Sequence, residues 1–194
     1  MPALVTIVEG QSEVQSVGVL LRRVRDVLGV HSVQVARPFR VKRTAIVKPG
    51  EIERAIQYAL KDRAGAEAVL VLLDADDDCP VCLANRLRER VASVTDKPCA
   101  VVVAQREFEA WFLGAKESLR GCRGIREDAT RPPDPEAIRG AKEELSRNMA
   151  NGRYLEVDDQ PALAEAFDLD RARSACRSFD KFVREAERLL RLIA

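Results

Sequence analysis

The sequence predicts an α/β fold with a mostly parallel four-stranded sheet, flanked by helices and followed by a helical C-terminal extension. Val69–Leu73 is a short run of buried-type residues, which is typical of a central parallel strand. Strand patterns alternate with amphipathic helix patterns as far as Gly114, and no strand pattern recurs beyond it. We therefore predict an α/β core over residues 1–118 and a helical extension over residues 119–194, which packs on the core as a cap over one edge of the sheet.

The first strand and the first helix have clear boundaries. Ala3–Val8 is a run of mostly β-branched and aliphatic residues that stops before Glu9. Ser12 has the chemistry of a helix N-cap, and Gly29 that of a helix C-cap. Apolar residues recur between them at helical spacing, namely Val14, Val17, Leu20, Leu21, Val24, Val27 and Leu28. This pattern predicts a strand–turn–helix unit with Glu9 at the carboxyl end of the strand and Glu13 in the first helical turn.

The remaining elements follow in alternation. Val30–Ala36 and Ala100–Ala104 have the composition of strands, and the run before Asp74 is a third strand between them. Apolar residues at helical spacing predict further helices over residues 51–64, 81–94, 135–149, 160–166 and 179–193, with another starting near residue 167.

Composition argues against two classes of protein. The chain has 194 residues, of which 46% are hydrophobic and 32% charged, enough for one α/β domain with a small appendage. No apolar run approaches the roughly 20 residues of a membrane-spanning helix, and the first residues enter a strand instead of forming a signal peptide. We therefore expect a cytoplasmic protein. The net charge of +1 means that any binding of nucleic acid must depend on a local patch.

The five cysteines are expected to be reduced thiols. Cys79 and Cys82 have the Cys-x-x-Cys spacing of some redox and zinc sites, at the predicted start of a helix. A redox role is disfavoured because the neighbouring carboxylates would raise the pKa of a thiol. A zinc site is disfavoured because Cys99, Cys122 and His31 show no paired spacing. Ordinary thiols at a helix start are the favoured interpretation.

Acidic residues follow three of the predicted strands. Glu9 follows the first, Asp74 and Asp76 follow the third within a group of four aspartates, and Glu107 and Glu109 follow the fourth. The carboxyl ends of parallel strands meet at the edge where open α/β sheets bind ligands. In an extended chain, Asp74 and Asp76 would point the same way, close enough to share a divalent cation.

The sequence therefore predicts a metal site built from Glu9, Asp74 and Asp76. Glu13 lies four residues after Glu9, and the turn between them brings both toward one ion. One of Glu107 and Glu109 completes the site in this interpretation. Glu13, Glu107 and Glu109 are equally compatible with a simpler role, in which acidic residues complement the dipole at the start of a helix.

A basic segment follows the second strand, with Arg37, Arg40, Lys42, Arg43 and Lys48 within twelve residues. Such a segment is either a phosphate-binding connection or a solvated loop. Proximity to the acidic residues would favour phosphate binding.

Several motifs carry a resemblance to a known family. Val8-Glu9-Gly10-Gln11-Ser12-Glu13 resembles the first motif of Toprim domains, and Asp74-Ala75-Asp76 resembles the second. Over roughly residues 3 to 190, the chain is similar to the DUF4276 family of Toprim-like bacterial proteins. The matching segments are Val41–Arg43, Leu72–Pro80, Arg106–Phe112, Asp159–Pro161 and Ser178–Lys181. The resemblance implies a Toprim-like, Rossmann-like fold that binds Mg²⁺ or Mn²⁺.

The resemblance also implies roles for individual residues. By similarity to Toprim nucleases of the overcoming-lysogenization-defect type, Glu9 is a general acid/base or a metal ligand, and Asp74 and Asp76 are metal ligands. Glu13 is then a candidate ligand of a second ion, with Asp78 and Glu109 as further possibilities. Three basic residues are predicted to hold a nucleic-acid backbone, namely Arg40, Lys42 and Arg43.

Lys181 is a candidate catalytic residue, because a lysine in the C-terminal extension could fold over the acidic edge and neutralise developing phosphate charge. The simpler interpretation is a solvated lysine on the last helix, with its aliphatic stem packed on the protein.

Two functions from different classes remain open at this point. The first is a Mg²⁺-dependent phosphodiesterase that acts on DNA or RNA. The second is a non-catalytic partner module of an ATPase in a bacterial defence system, since the chain has no P-loop of its own. DNA strand passage is disfavoured because Tyr58 lies on a predicted helix and Tyr154 in a turn. A phosphatase of the haloacid dehalogenase type is disfavoured because Asp78 stands where a threonine is expected.

Overall fold

The structure is a computed structural model that describes residues 1–194. It contains an open sheet in which every strand pairing is parallel, so the predicted α/β class is confirmed. The strands are β1 (Ala3–Val8), β2 (Gln34–Val35), β3 (Phe39–Arg40), β4 (Ala66–Asp74) and β5 (Cys99–Ala104). The helices are α1 (Glu13–Leu28), α2 (Arg43–Ile46), α3 (Glu51–Asp62), α4 (Pro80–Ala92), α5 (Ala110–Gly114), α6 (Ala141–Asn148), α7 (Glu156–Ala166), α8 (Leu169–Ala175) and α9 (Arg177–Leu192).

The strand predicted over Val30–Ala36 is only β2, and β3 is a further short strand beyond its predicted end. β2 pairs with the start of β1, where Leu4 is opposite Val35, and β3 pairs with its end, where Val8 is opposite Arg40. Pro38 lies between β2 and β3 and has no N–H to donate to a sheet ladder, so it is compatible only with an interrupted edge. The edge next to β1 therefore has a gap in its middle.

The strand order is β2-β1-β4-β5, and β3 extends the β2 edge. α1 leads from β1 outward to β2, whereas α3 brings the chain back to β4 on the opposite side of β1. The chain thus runs from β1 toward one edge of the sheet, at β2, and from β4 toward the opposite edge, at β5. A crevice at the carboxyl ends of two such strands is where open α/β sheets bind their ligands.

Helices cover both faces of the sheet. α3 and α4 pack on one face, where Ile52, Ile56 and Leu87 are buried against β4. The opposite face carries α1, α5 and α9 in a single cluster of 37 buried residues that joins sheet residues such as Leu70 to Phe182 of the C-terminal extension. The extension therefore covers a face of the sheet and contributes to its core, where a cap over one edge was expected.

Trp111 is the centre of the contact between the extension and the core. Its ring lies 4.7 Å from that of Phe108, 5.0 Å from that of Phe179 and 5.3 Å from that of Phe182. Its indole Nε1 donates a hydrogen bond of 2.8 Å to Oγ of Ser178. Aromatic pairs of this kind contribute about 0.5–1.5 kcal/mol each beyond their burial. They hold α5 against α9 and thereby fix the segment that carries Glu107 and Glu109.

Ser12 immediately precedes α1, as predicted for its N-cap, but it has helical backbone angles and its side chain makes no capping hydrogen bond. The predicted helix over residues 135–149 is instead a short 3-10 turn at Pro135–Ala137, which ends where Ile138 becomes extended, followed by α6, which begins after Gly140 with its left-handed φ of 72°. None of the nine helices combines the length and the apolar character that crossing a membrane requires.

Candidate metal centre

Three carboxylates meet at the crevice between β1 and β4. Glu9 follows β1, Glu13 is the first residue of α1, and Asp74 is the last residue of β4. One carboxylate oxygen from each lies within 4.8 Å of the other two. Glu13 is 6% exposed and Asp74 is 9% exposed. The structure thus brings together three of the predicted ligands at the predicted edge of the sheet.

The turn after β1 positions Glu13. Oε2 of Glu13 accepts hydrogen bonds from the backbone N–H of Glu9 at 3.2 Å and from that of Gly10 at 3.1 Å. A Cβ atom on Gly10 would lie only 2.8 Å from Oε1 of Glu13, so a side chain there would displace the carboxylate. Gly10 therefore leaves the space that Glu13 needs to fold back toward Glu9.

Backbone groups also hold Glu9 and Asp74. The N–H of Asp74 donates to Oε1 of Glu9 at 3.1 Å, which ties the ends of β1 and β4 together. Oδ1 of Asp74 accepts from the N–H of Phe108 at 2.8 Å. Each carboxylate thus has one oxygen fixed by the main chain. Oε2 of Glu9, however, is buried without any hydrogen-bond partner.

Glu109 lies beside these three carboxylates and is fully buried. Its Oε1 accepts from the hydroxyl of Tyr154 at 3.1 Å and from Nε2 of Gln160 at 2.9 Å, while its Oε2 has no hydrogen-bond partner. Gln160 is itself oriented by the hydroxyl of Ser16 on α1, which donates to it at 2.8 Å. The C-terminal extension therefore completes one wall of the site.

Burial raises the pKa of all four carboxyl groups, and at Glu13 and Asp74 the neighbouring carboxylates raise it further. Burial is the largest cause in each case. The pKa of Glu13 rises to about 7, with the charges of Glu9 and Glu109 adding to the effect of burial. The pKa of Asp74 rises well above its usual range, because burial is reinforced by the charges of Glu13, Glu109 and Glu9. At neutral pH these groups resist ionising together unless a cation joins them.

The donor set fits a hard divalent cation. All the converging side-chain atoms are carboxylate oxygens, which Mg²⁺ and Mn²⁺ prefer. Two of those oxygens, on Glu9 and Glu109, are buried without a hydrogen-bond partner, and such atoms are costly unless they are satisfied. Glu9, Glu13 and Asp74 are the residues that could hold an ion, with Glu109 adjacent.

Lys142 is a basic residue of this site that the sequence analysis did not identify. Its charge lowers the pKa of Glu9, Asp74 and Glu109. Nζ of Lys142 lies 2.5 Å from Oε1 of Glu156. Burial alone would lower the pKa of Lys142, but the charges of Glu109 and Glu156 outweigh it and raise the pKa above its ordinary value, so the amine stays protonated.

Glu107 places Lys142 through the backbone of α6. Its Oε1 accepts from the N–H of Gly140 at 2.8 Å and from that of Ala141 at 3.1 Å, and its Oε2 accepts from that of Lys142 at 3.4 Å. Glu107 is therefore the cap of α6 and lies outside the three-carboxylate group. No pattern near Lys142 in the sequence signals this connection.

Arg43 is the one predicted phosphate-binding residue that contacts the acidic side chains. Its Nη2 lies 2.7 Å from Oδ2 of Asp78 and its Nη1 lies 3.8 Å from Oε2 of Glu9. Nη1 also donates to the carbonyl oxygen of Asp74. Asp78, a predicted metal ligand, is thus an ion-pair partner of Arg43 and is not part of the three-carboxylate group.

The other predicted phosphate-binding residues lie farther out. Arg40 donates to the carbonyl oxygen of Glu9 at 3.2 Å and to Oε1 of Gln11 at 3.3 Å, so it supports the turn after β1. Lys42 is exposed and has no ion-pair partner. Their role in binding nucleic acid stays a prediction.

Asp76 does not continue the extended geometry of β4. The strand ends at Asp74, and Asp76 is exposed with a left-handed φ of 50°. Its N–H donates to the carbonyl oxygen of Arg106 at 3.0 Å. The expectation that Asp74 and Asp76 project alike from an extended chain is therefore wrong. The charge of Asp76 still raises the pKa of Glu9, so its assignment as a metal ligand stays a prediction.

Lys181 lies on α9 and lines a separate cavity with Gln105 and Arg106. Its assignment as a catalytic residue stays a prediction. The lysine whose charge acts on Glu9 and Asp74 is Lys142.

The two cysteines of the Cys-x-x-Cys motif are exposed and belong to no cluster of metal-ligating side chains. Sγ of Cys79 accepts a hydrogen bond of 3.4 Å from the N–H of Cys82 and caps α4. The expectation that nearby carboxylates raise the thiol pKa is not met at Cys79. Hydrogen bonds from Cys82 lower its pKa and outweigh the opposing charge of Asp78.

Comparison with known protein families gives one match. Residues 8–187 match the model of a domain of unknown function, DUF4276. The chain belongs to the DUF4276 family. The match begins one residue before Glu9 and therefore includes every residue of the acidic site in this member of the family. Searches of the curated proteins and of the solved structures find no match.

Proposed function

We propose that this DUF4276 protein is a Mg²⁺- or Mn²⁺-dependent phosphodiesterase with a Toprim-like centre that acts on DNA or RNA. The observation that carries the proposal is the convergence of Glu9, Glu13 and Asp74 within 4.8 Å at the crevice between β1 and β4. Three carboxylates that are buried or half-buried in such a group repel one another, and a bound dication would offset that repulsion.

Glu9, Glu13 and Asp74 would hold the ion, and Glu109 would contribute from the adjacent wall. When bound there, Mg²⁺ supplies the positive charge that polarises a phosphodiester and stabilises the attacking and leaving oxygens.

Two basic side chains are placed to bind a phosphate at this site. Lys142 is held in position by Glu156, and Arg43 by Asp78. Each is next to the acidic residues but keeps a positive charge that complements the non-bridging oxygens of a phosphate. Oε1 of Glu9 accepts from the N–H of Asp74, so Oε2, which has no hydrogen-bond partner, is the oxygen of Glu9 left to bind the ion.

The test is cleavage of several nucleic acids by the purified protein. Plasmid DNA, single-stranded DNA and RNA are incubated with Mg²⁺ or Mn²⁺ and, separately, with a chelator. We expect cleavage only with metal, loss of cleavage in Asp74→Asn, and full cleavage in Asp77→Asn. Asp77 is a matched control, because its carboxylate is 72% exposed and lies outside the group of three.

Metal binding without cleavage of any substrate, including in the presence of a partner ATPase, would contradict the phosphodiesterase proposal. That outcome would favour a non-catalytic module that works with such a partner.

A further inference from the structure

A cavity of about 750 Å³ opens between the start of α4 and the exposed side of α9. Pro80 and Val81 form one wall, Gln105 and Arg106 lie at the end of β5, and α9 forms the opposite wall. Five basic side chains line it, namely Arg106, Arg173, Arg177, Lys181 and Arg184. No aromatic side chain lines it.

The three acidic residues of this cavity are already engaged. Asp180 pairs with Arg173 at 3.2 Å and with Arg184 at 2.9 Å. Glu136 accepts from the backbone N–H groups at the start of α9, at 2.8 Å and 3.0 Å. Asp134 accepts from the N–H of Ala137 at 3.2 Å.

Arg177 and Lys181 consequently have no carboxylate within ion-pair distance. They lie four residues apart on α9, so they face the same side of the helix about 6 Å apart along its axis. Arg184 follows three residues later on that side. Like charges at the spacing of Arg177 and Lys181 destabilise a helix, so stability of the fold gives no reason for this pair, whereas Arg184 is held by its ion pair with Asp180. A row of cations facing an open cavity is suited to a polyanion.

Arg106 joins this cavity to the acidic edge. It also lines a smaller cavity of about 200 Å³ with Asp76, Asp77, Glu107 and Arg139. Its backbone has a left-handed φ of 64°, and its Nε is buried without a hydrogen-bond partner. A left-handed conformation is strained for arginine and is retained only where the surroundings enforce it. Here the N–H of Asp76 is bonded to the carbonyl oxygen of Arg106.

We propose that the cleft lined by Arg106, Arg177, Lys181 and Arg184 binds the sugar–phosphate backbone of a nucleic-acid strand, several nucleotides away from the phosphate at the acidic site. The proposal rests on the proposed function, since it assigns the cleft to the same substrate. The absence of aromatic side chains gives the bases nothing to stack on, so the contacts are electrostatic and independent of sequence. This assignment gives Lys181 a part in holding the substrate.

The test compares strands of two lengths. Phosphorothioate DNA keeps the backbone charge and resists cleavage, so its affinity can be measured on the intact, metal-loaded protein by fluorescence anisotropy. For Arg177→Ala/Lys181→Ala we expect affinity for a strand of about 20 nucleotides to fall at least tenfold, and the slope of log affinity against log salt to shrink by about 1.4. We expect the affinity for a strand of about four nucleotides to change less than twofold, because so short a strand does not reach both sites.

The matched control is Arg54→Ala/Lys61→Ala, which removes the same charge from exposed positions of α3. Equal loss in the control, or equal loss for both strand lengths, would overturn the proposal. Cleavage of unmodified DNA by the unaltered protein is scored separately. Cleavage without any dependence of long-strand affinity on Arg177 and Lys181 would refute the cleft alone. Dependence on these residues without cleavage would support the cleft and refute the phosphodiesterase activity.

Discussion

The backbone N–H of Asp74 donates a 3.1 Å hydrogen bond to Oε1 of Glu9, across the boundary between β4 and β1. This bond joins the carboxyl ends of β1 and β4, where the chain leaves the two strands toward opposite edges of the sheet. It fixes one oxygen of Glu9 and leaves the other buried without a hydrogen-bond partner. The two residues thus form a rigid pair on which Glu13 converges, and the predictions below follow from that arrangement.

Removing one carboxylate of the group is expected to abolish tight metal binding. Asp74→Asn keeps the shape of the side chain but removes a charged ligand, so affinity for Mn²⁺ should fall by at least about 100-fold, more than is usual when an outer-shell partner is lost. Isothermal titration calorimetry measures the change. Asp77→Asn should have the same affinity for Mn²⁺ as the unaltered protein. An equal loss of affinity in both variants would mean that Mn²⁺ binding depends only on the total negative charge at this edge of the sheet.

The stability of the metal-free protein is expected to fall as the pH rises from about 4.5 to about 7. The pKa of Glu13 is raised from 4.5 to about 7, so between these values the folded state binds more protons than the unfolded chain. The stabilisation is complete below the lower value and lost above the higher one. Each unit of pKa difference corresponds to about 1.4 kcal/mol.

Urea unfolding in a chelating buffer at pH 5 and pH 8 measures this change. Glu13→Gln should flatten the pH dependence, because the amide does not titrate. Mg²⁺ added at pH 8 should recover stability in the unaltered protein, since it binds only the folded state. A metal-free protein whose pH dependence is the same with and without Glu13→Gln would contradict the raised pKa.

Gly10→Ala is expected to weaken metal binding without changing any ligand. The new methyl group would lie 2.8 Å from Oε1 of Glu13 and force that carboxylate out of its hydrogen bonds with the turn. We expect about a tenfold loss of Mn²⁺ affinity, comparable to the loss of an outer-shell contact. Gly18→Ala is the control, because its nearest neighbour is the flexible end of Arg22 at 3.4 Å. Unchanged affinity in Gly10→Ala would mean that Glu13 does not bind the ion.

Ser178→Ala is expected to destabilise the contact between the sheet and the C-terminal extension. Oγ of Ser178 accepts from Nε1 of Trp111 at 2.8 Å and from the N–H of Gln105 at 3.1 Å. Its loss leaves two donors unsatisfied, at a cost of about 1–3 kcal/mol in the free energy of unfolding. Urea denaturation should show this change, whereas Ser174→Ala, at an exposed position of α8, should stay within about 0.5 kcal/mol.

The pattern of apolar residues and the positions of glycine predict the limits of β1 and the end of α1. The strand Ala3–Val8 has the predicted limits, and α1 ends where predicted, because Gly29 takes the left-handed conformation that closes a helix. The second strand is shorter than predicted because residues 31–33 form a turn, and α6 begins later than predicted because the backbone at Ile138 is extended and Gly140 is left-handed.

The sequence predicts those acidic residues of the site whose positions depend on the sheet alone. Glu9 and Asp74 converge because parallel strands end at one edge, and Glu13 converges through the short turn after β1. Lys142, Tyr154 and Gln160 reach the site from the C-terminal extension, through tertiary packing that no spacing in the sequence reveals. Asp76 departs from the extended geometry because its bond to Arg106 belongs to a turn.

The three-carboxylate centre is tested most directly by a crystal structure of the protein soaked in Mn²⁺, with the ion located by its anomalous scattering. We expect a peak in the crevice between β1 and β4, at coordination distance from carboxylate oxygens of Glu9, Glu13 and Asp74. A peak only at the exposed Asp77 or Asp78, or no peak at a saturating concentration, would contradict it.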